Sequence, residues 1–328
     1  MPRIAIRMEY GKIAEIRGIS KDQNLEPEME EVVEEKIKDF PDKEKYYKKV
    51  SDMKLLTHIY KKHKNNEELT KEELRFLYEV DGKIIGFGYK EDPRIEEIIN
   101  ARDNIKQDLS FVLDCREDQI ALNKNELTKD NVYYKGDLDL FSLTSAEGLV
   151  LPQIIVGNLI LSGLKSTKGL VLPKILGGIL DLSGLTSAEG LVLPKNIEGS
   201  LNLSGLMRAE NLVLPEYIGG TLYLNRVISA KGLVFPKNIE GSLDLIGLKR
   251  AENLVLPKNI GGNLYLTSLT SAEGLVLPEH IGGALELYSL TSAEGLIIPD
   301  PLTYKIYMAG FIITPQNVDQ YRNIKKMS

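Results

Sequence analysis

From residue 138 onward, apolar and polar positions recur every 21 residues through eight copies, which begin at Leu138, Leu159, Leu180, Leu201, Leu222, Leu243, Leu264 and Leu285 with no insertion or deletion. The first copy opens L-D-L-F-S-L-T-S-A-E-G-L-V-L-P-Q-I-I-V-G. With its first leucine as place 1, places 1, 3, 6, 12, 14 and 18 are aliphatic in essentially every copy, with one Phe235 at place 14. Place 9 is Ala apart from Thr167, and place 15 is always proline, from Pro152 to Pro299. A fixed period of this length marks a stacked solenoid, in which each repeat covers the apolar face of its neighbour. Alternate residues of a strand face opposite ways, so L-x-L and L-V-L predict two short strands with their leucines turned inward.

Two other places carry backbone information. Place 11 is Gly in six copies and Asn at 211 and 253, the two residue types that most readily accept a left-handed backbone, so a corner is expected there. Place 20 is Gly until Tyr304 in the last copy, which predicts a second corner or a close approach. Parallel rungs about 4.8 Å apart give a tube roughly 38 Å long over eight rungs, and right-handed winding is the expected sense. Ile306, Met308 and Phe311 continue the inward pattern into a ninth rung, after which Pro315 and a polar tail depart from it. The expected organisation is therefore a mainly helical capping domain at 1–134, a β-solenoid at 135–311, and a C-terminal cap and tail at 312–328, an α+β chain.

Ahead of the solenoid, Ile4, Ile6 and Met8 alternate with charged residues and are followed by Gly11, Ile13 and Ile16, which reads as a hairpin. Helical spacing predicts a helix from Pro27 to Phe40 and another over about 42–63 that buries Tyr46 or Tyr47, Val50, Met53, Leu56, Ile59 and Tyr60. Thr70 and Glu73 form a capping box before Leu74, Leu77 and Tyr78. Asp92 caps and Pro93 opens a further helix with Ile95, Ile98 and Ile99, and a fifth includes Ile105, Leu109, Val112 and Leu113. Residues 119–134 read as mixed strand or loop. This domain is expected to shield the first rung, whose strand edge would otherwise stand open.

Composition narrows the functional field. The 328-residue chain has a formal charge of −6, with 26 basic and 30 acidic residues before position 137 and 15 and 17 from there on. That balance favours neither nucleic acid nor an anionic membrane as partner. Cys115 is the only cysteine, which excludes an intrachain disulfide, and with no apolar N-terminal leader the expected location is cytoplasmic. Gly86-Phe87-Gly88 lacks the Gly-Lys and preceding strand of a phosphate loop. His58 and His63, five apart on a helix, fall on different faces, whereas a zinc pair wants four. Cys115 has no histidine beside it to activate a nucleophile. No catalytic residue, metal site or cofactor follows from these motifs.

The unit L-x-L-x-x-L-T-S-A-E-G-L-V-L-P-x-x-I-G-G resembles the leucine-rich-like repeats of uncharacterised bacterial proteins, over about residues 137–305. It departs from true leucine-rich repeats, whose L-x-x-L-x-L-x-x-N-x-L carries an asparagine ladder, because here the place after L-x-L-x is usually Gly, Ser or Arg. That departure favours a straighter, two- or three-sided β-solenoid over a horseshoe. The resemblance implies that such a tube binds other macromolecules.

The outward columns supply the candidate contact surfaces. Place 13 runs from Val150 to Ile297 as eight β-branched residues in line, a stripe suited to self-association, to packing on the helical domain, or simply to an outer strand. Place 2 varies between copies and in the later rungs gathers Tyr223, Asp244, Tyr265, Glu286 and Tyr307, with Asn225, Arg226 and Tyr288 at the adjoining places. Tyrosine and arginine dominate binding hot spots, which makes these residues the candidate partner-binding face of a non-catalytic protein-interaction scaffold. An effector or toxin with its activity in residues 1–134 lacks a nucleophile and base pair there, and a structural or surface protein would want an export signal. A β-helix polysaccharide enzyme would need clustered carboxylates, but Asp139, Asp181 and Asp244 stand two and three rungs apart.

Overall fold

In the computed structural model the described residues are 43–86 and 92–322, the backbone of 4–9 and 12–18, and the separate positions Val33, Glu35 and Ile37. The chain divides into two compact units, 1–117 and 118–328.

In the first unit, β1 (Ile4–Glu9) and β2 (Lys12–Gly18) pair antiparallel, as the early alternation predicts. Of the helix expected from Pro27 to Phe40, Val33, Glu35 and Ile37 are helical, with Val33 and Ile37 buried and Glu35 exposed; the rest of it lies outside the described residues. Helix α1 (Lys43–Lys64) buries Tyr46, Leu56 and Ile59 and leaves Tyr47 exposed. In α2 (Lys71–Leu77) the Thr70 hydroxyl accepts the Glu73 N–H while the Glu73 carboxylate accepts the Thr70 N–H, so two orphan helix-end donors are satisfied reciprocally. Helices α3 (Pro93–Asn100) and α4 (Ile105–Leu113) start on the side chains of Asp92 and Asn104. Leu56, Ile59, Leu77 and Ile98 form the centre of this unit's packing.

The second unit is a parallel β-solenoid. Strands at places 1–2 form one sheet, and strands at places 17–18 form the other side in two segments. Pairing between successive rungs is in register at a 21-residue offset, for example Leu201↔Leu222 and Ile197↔Leu176. The place 1 and place 3 N–H groups each donate to the next rung, as Leu180 N to Ser200 O and Leu182 N to Asn202 O, both at 2.9 Å. The leucines at places 1 and 3 and the aliphatics at place 18 are buried along nearly the whole tube, as Leu201, Leu203 and Ile218 illustrate. Place 11 has positive φ in all eight copies, between 62° at Asn253 and 80° at Gly232. It is the third residue of a turn closed in every copy by the place 12 N–H on the place 9 carbonyl, for example Leu191 N to Ala188 O at 3.0 Å.

That turn corrects one expectation. L-V-L at places 12–14 is not a hydrogen-bonded strand in most rungs; only Val276↔Ile297 forms a bridge there. The place 12 N–H is spent inside its own rung, and proline at place 15 has no N–H to give, so only places 13 and 14 are left to donate, as Ile297 N and Leu277 N do in that one bridge at 3.2 and 3.3 Å. Place 20 is the close approach rather than a left-handed corner. A Cβ on Gly199 would lie 2.4 Å from the carbonyl carbon and oxygen of Gly178 one rung back.

Both ends of the tube are finished by short additions. At the start, β3 (Ile120–Ala121) pairs with β4 (Tyr133–Tyr134), and β4 pairs with Ile154–Ile155 of the first copy, so residues 118–134 extend the second side beyond the first rung. Ala121 and Tyr134 are buried in the solenoid core and Leu127 packs against it. At the far end Lys305–Met308 completes a ninth rung, the chain reverses at Gly310, and Phe311–Ile313 returns antiparallel on it. Phe311, expected to continue the inward pattern of the ninth rung, begins this return strand instead; it is partly buried against the solenoid core, and Ile313 is the fully buried member. The ring of Phe311 stacks on Tyr321 with centroids 5.5 Å apart and planes at 7°.

Candidate functional site

The strands at place 2 bring five of the eight candidate residues into one unbroken column. The pairings Tyr223↔Asp244, Asp244↔Tyr265, Tyr265↔Glu286 and Glu286↔Tyr307 place aromatic and acidic side chains alternately on successive rungs. Each side chain is opposite in sequence position to the buried leucines at places 1 and 3, so the alternation of the strand turns the column outward. Tyr288 stands beside its end, half exposed, with its ring 6.4 Å from that of Tyr307. Asn225 and Arg226 lie at places 4 and 5 of the rung that carries Tyr223, Arg226 exposed and Asn225 partly buried. All eight residues thus belong to rungs five to nine, five of them on the sheet and Asn225, Arg226 and Tyr288 in the turns that follow its strands.

Place 2 carries Asp139, Ile160, Asp181 and Asn202 in the first four rungs and alternates tyrosine with carboxylate in the later ones, and the two parts differ in how their polar atoms are used. Asp139, Asp181 and Asn202 each accept the N–H of the residue two further on, at 3.1, 2.8 and 3.1 Å, which closes the local turn. Asn202 also donates to Asp181 at 3.2 Å. Asp244 closes the same turn on Ile246 N at 3.1 Å, but it is only 8% exposed and lies between two tyrosine rungs. Burial pushes its carboxyl above the ordinary carboxylate range against the single opposing backbone hydrogen bond. Burial also raises the Glu286 carboxyl. Partial desolvation, with Glu286 and Tyr307 nearby, raises the Tyr288 hydroxyl. The buried Asn225 Oδ1 has no hydrogen-bond partner, so this corner of the face holds an unused acceptor.

A second column behind the face holds it in place. At place 21, side-chain oxygens accept the backbone N–H of place 21 one rung on: Asn158 to Ile179 N at 2.8 Å, Ser200 to Thr221 N at 2.9 Å, Thr221 to Ser242 N at 3.2 Å, and Ser242 to Asn263 N at 2.9 Å. Asp137 starts this ladder on Asn158 N, and Asn263 ends it on Ala284 N. Asn263 also donates its amide N–H to the Tyr265 hydroxyl at 2.8 Å, which links the ladder to the candidate face. The role of Asn263 is not evident from the repeat because place 21 mixes Asn, Ser, Thr, Ile, Ala and Lys.

The other candidates are structural. His58 Nε2 lies 3.1 Å from Glu73, which also takes Lys62 Nζ at 2.7 Å. Burial works to raise Glu73, but Lys62 and the Thr70 N–H outweigh it and hold the carboxyl below its ordinary range. Cys115 is partly buried just after the left-handed Asp114, and its N–H and C=O are both bonded to Ser110. Phe87 and Gly88 lie outside the described residues. Among the described residues no group of three or more His, Cys, Asp or Glu is arranged to hold a metal, and no helix is long and apolar enough to cross a membrane. The place 13 stripe is exposed throughout, from 53% at Ile297 to 79% at Val192.

No family model, curated protein or solved structure matches this chain.

Proposed function

We propose that the protein is a non-catalytic scaffold that binds a macromolecular partner through the sheet side of rungs five to nine. The observation that carries this reading is the in-register column Tyr223, Asp244, Tyr265, Glu286 and Tyr307, flanked by Tyr288, Asn225 and Arg226. Stacking requires the inward leucines and the place 11 corner, yet it does not require tyrosine on the outside, since earlier rungs carry Asp139, Ile160, Asp181 and Asn202 there. Tyrosine buries a large rigid area at small entropic cost and still offers a hydrogen bond, which suits a contact surface. A parallel sheet fixes the spacing of these side chains before any partner arrives, so little ordering is lost on binding.

The test is capture by the intact chain compared with the Tyr223→Ala, Tyr265→Ala and Tyr288→Ala variant, both checked for equal thermal stability. Proteins retained by the first should be lost from the second, each tyrosine contributing about 1–3 kcal/mol of affinity. An identical set retained by both would remove this face as the contact surface.

A further inference from the structure

The same face has a spacing that selects one kind of ligand, an inference that rests on its being the contact surface. Asp244 and Glu286 stand two rungs apart, a distance of roughly 9.6 Å along the tube. Tyr223, Tyr265 and Tyr307 occupy the rungs before, between and after them and repeat at the same interval. Neither carboxylate has an ion-pair partner among the described residues: Asp244 accepts only its own turn's Ile246 N–H, and Glu286 makes no ion pair. A ligand that fills this face therefore supplies positive charge at intervals of about 9.6 Å and flat apolar surface in between.

Backbone periodicity decides which conformation does so. An extended strand returns a side chain to the same face every second residue, about 6.6–6.8 Å, and so falls out of step at once. An α-helix offers about 6 Å or 10.5 Å and presents a rod 10–12 Å wide that seeks an apolar stripe, whereas this column has a carboxylate on alternate rungs. A polyproline II helix has three residues per turn and rises about 3.1 Å per residue, so positions i and i+3 share a face about 9.3 Å apart. That matches the carboxylate interval to within about 0.3 Å. Tyrosine platforms are the surface on which such helices dock, and a lysine or arginine passing over a tyrosine ring gains a cation–π contact as it reaches the acid.

We propose that rungs five to nine bind a proline-rich segment in the polyproline II conformation, with lysine or arginine at every third residue, running along the solenoid axis. Its basic side chains meet Glu286 at the surface and reach the 8% exposed Asp244 between the Tyr223 and Tyr265 rungs, and its proline rings lie against Tyr223, Tyr265 and Tyr307. The Tyr288 and Tyr307 pair, with centroids 6.4 Å apart, forms the end stop at the ninth rung.

Isothermal titration of the intact chain tests this with three synthetic peptides: five repeats of Lys-Pro-Pro, the same residues with the lysines grouped in adjacent pairs, and five repeats of Glu-Pro-Pro. The first should bind at least about ten-fold tighter than the other two and weaken as salt rises. Glu286→Gln and Asp244→Asn should each weaken it about five-fold or more, as should Tyr265→Ala. Equal affinity for the regular and grouped lysine peptides, or full affinity in the double carboxylate variant, would overturn the proposal. A neutral β-linked oligosaccharide binding where the lysine peptide does not would overturn it equally. If the peptides are silent but the tyrosine variant still loses a captured protein, the ligand class fails and the surface assignment stands. If capture too is indifferent to the tyrosines, both fail.

Discussion

The side-chain oxygen of Asn263 accepts the backbone N–H of Ala284, one rung further along the tube, at 2.9 Å. The same amide holds the Tyr265 hydroxyl at 2.8 Å, so a bond that joins two rungs also fixes the central ring of the candidate face. Asn263→Ala removes both and leaves the Ala284 N–H without that acceptor. The expected loss is about 2 kcal/mol of stability, read by chemical denaturation. Affinity for the lysine and proline peptide should fall with it, because the Tyr265 ring is no longer held. Asn263→Asp keeps the acceptor for the Ala284 N–H and offers its second oxygen to the Tyr265 O–H, so it should recover most of the stability and of the tyrosine contact.

Ile179 interrupts the same ladder. It stands at place 21 between Asn158 and Ser200, has no acceptor, and is exposed. Ile179→Asn supplies an oxygen for the Ser200 N–H and removes an exposed aliphatic side chain. A gain of about 0.5–1 kcal/mol is expected. Slower hydrogen exchange at the Ser200 amide is the direct reading, and unchanged exchange there would mean that the place 21 oxygens do not act as a ladder.

The repeat makes the rungs legible because burial and backbone sterics repeat identically: leucines 138 to 285 at place 1 must face inward, and place 11 must turn left-handed in all eight copies. The Thr70 and Glu73 box is equally plain, since both partners lie within one turn of chain. The ladder is hidden because Asp137, Asn158, Ser200, Thr221, Ser242 and Asn263 do one job with four residue types, so the column reads as variable. L-V-L reads as a strand from its alternation, which carries no record that the Leu191 N–H and its equivalents are already used by the preceding turn. At the candidate face the tyrosines can be read from sequence. Asp244 is buried between the rungs of Tyr223 and Tyr265, which become its neighbours only when the rungs stack.

Gly274 isolates the backbone contribution at the place 11 corner. Its φ is 75°, and a Cβ built on it would meet nothing within 4 Å. Gly274→Ala should therefore cost about 1 kcal/mol from the left-handed conformation alone, which in a unit of this size lowers Tm by about 2–4 °C. Gly274→Asn should cost less, since Asn211 and Asn253 occupy the same corner at φ 66° and 62°. Equal losses for Ala and Asn would mean that side-chain contacts, not φ, set the preference.

The place 13 stripe makes a separate prediction. Val213 and Val255 are each 75% exposed, while the neighbouring Leu212 and Leu254 are buried, so Val213→Lys with Val255→Lys should leave thermal stability within about 0.5 kcal/mol of the parent. Eight such residues in line, roughly 34 Å from end to end, form a straight apolar surface identical on every copy, which a two-fold pairing of two chains would cover. Sedimentation equilibrium should give a concentration-dependent dimer for the parent chain and a monomer for the double variant. The same mass for both would leave the stripe as an outer face and no more.

Asp244 tests whether the candidate face is kept for binding at a cost to the fold. Burial raises its carboxyl above the unfolded value of about 3.9, and only the Ile246 N–H opposes that shift. The folded state therefore holds the proton more tightly than the unfolded chain does. Its effect on stability is absent below pH of about 3.9, where both states are protonated, and becomes a penalty as pH rises through the folded pKa. Asparagine removes the charge and keeps the acceptor that closes the turn, as Asn202 does for the Ser204 N–H at 3.1 Å in an earlier rung. Asp244→Asn should thus be more stable than the parent at pH 7, with the difference vanishing near pH 3. In the same variant the basic peptide should bind about five-fold more weakly or worse, so stability and affinity move in opposite directions. A variant no more stable at pH 7 would mean that the buried carboxylate carries no penalty. If affinity also stayed the same, Asp244 would be a turn residue alone.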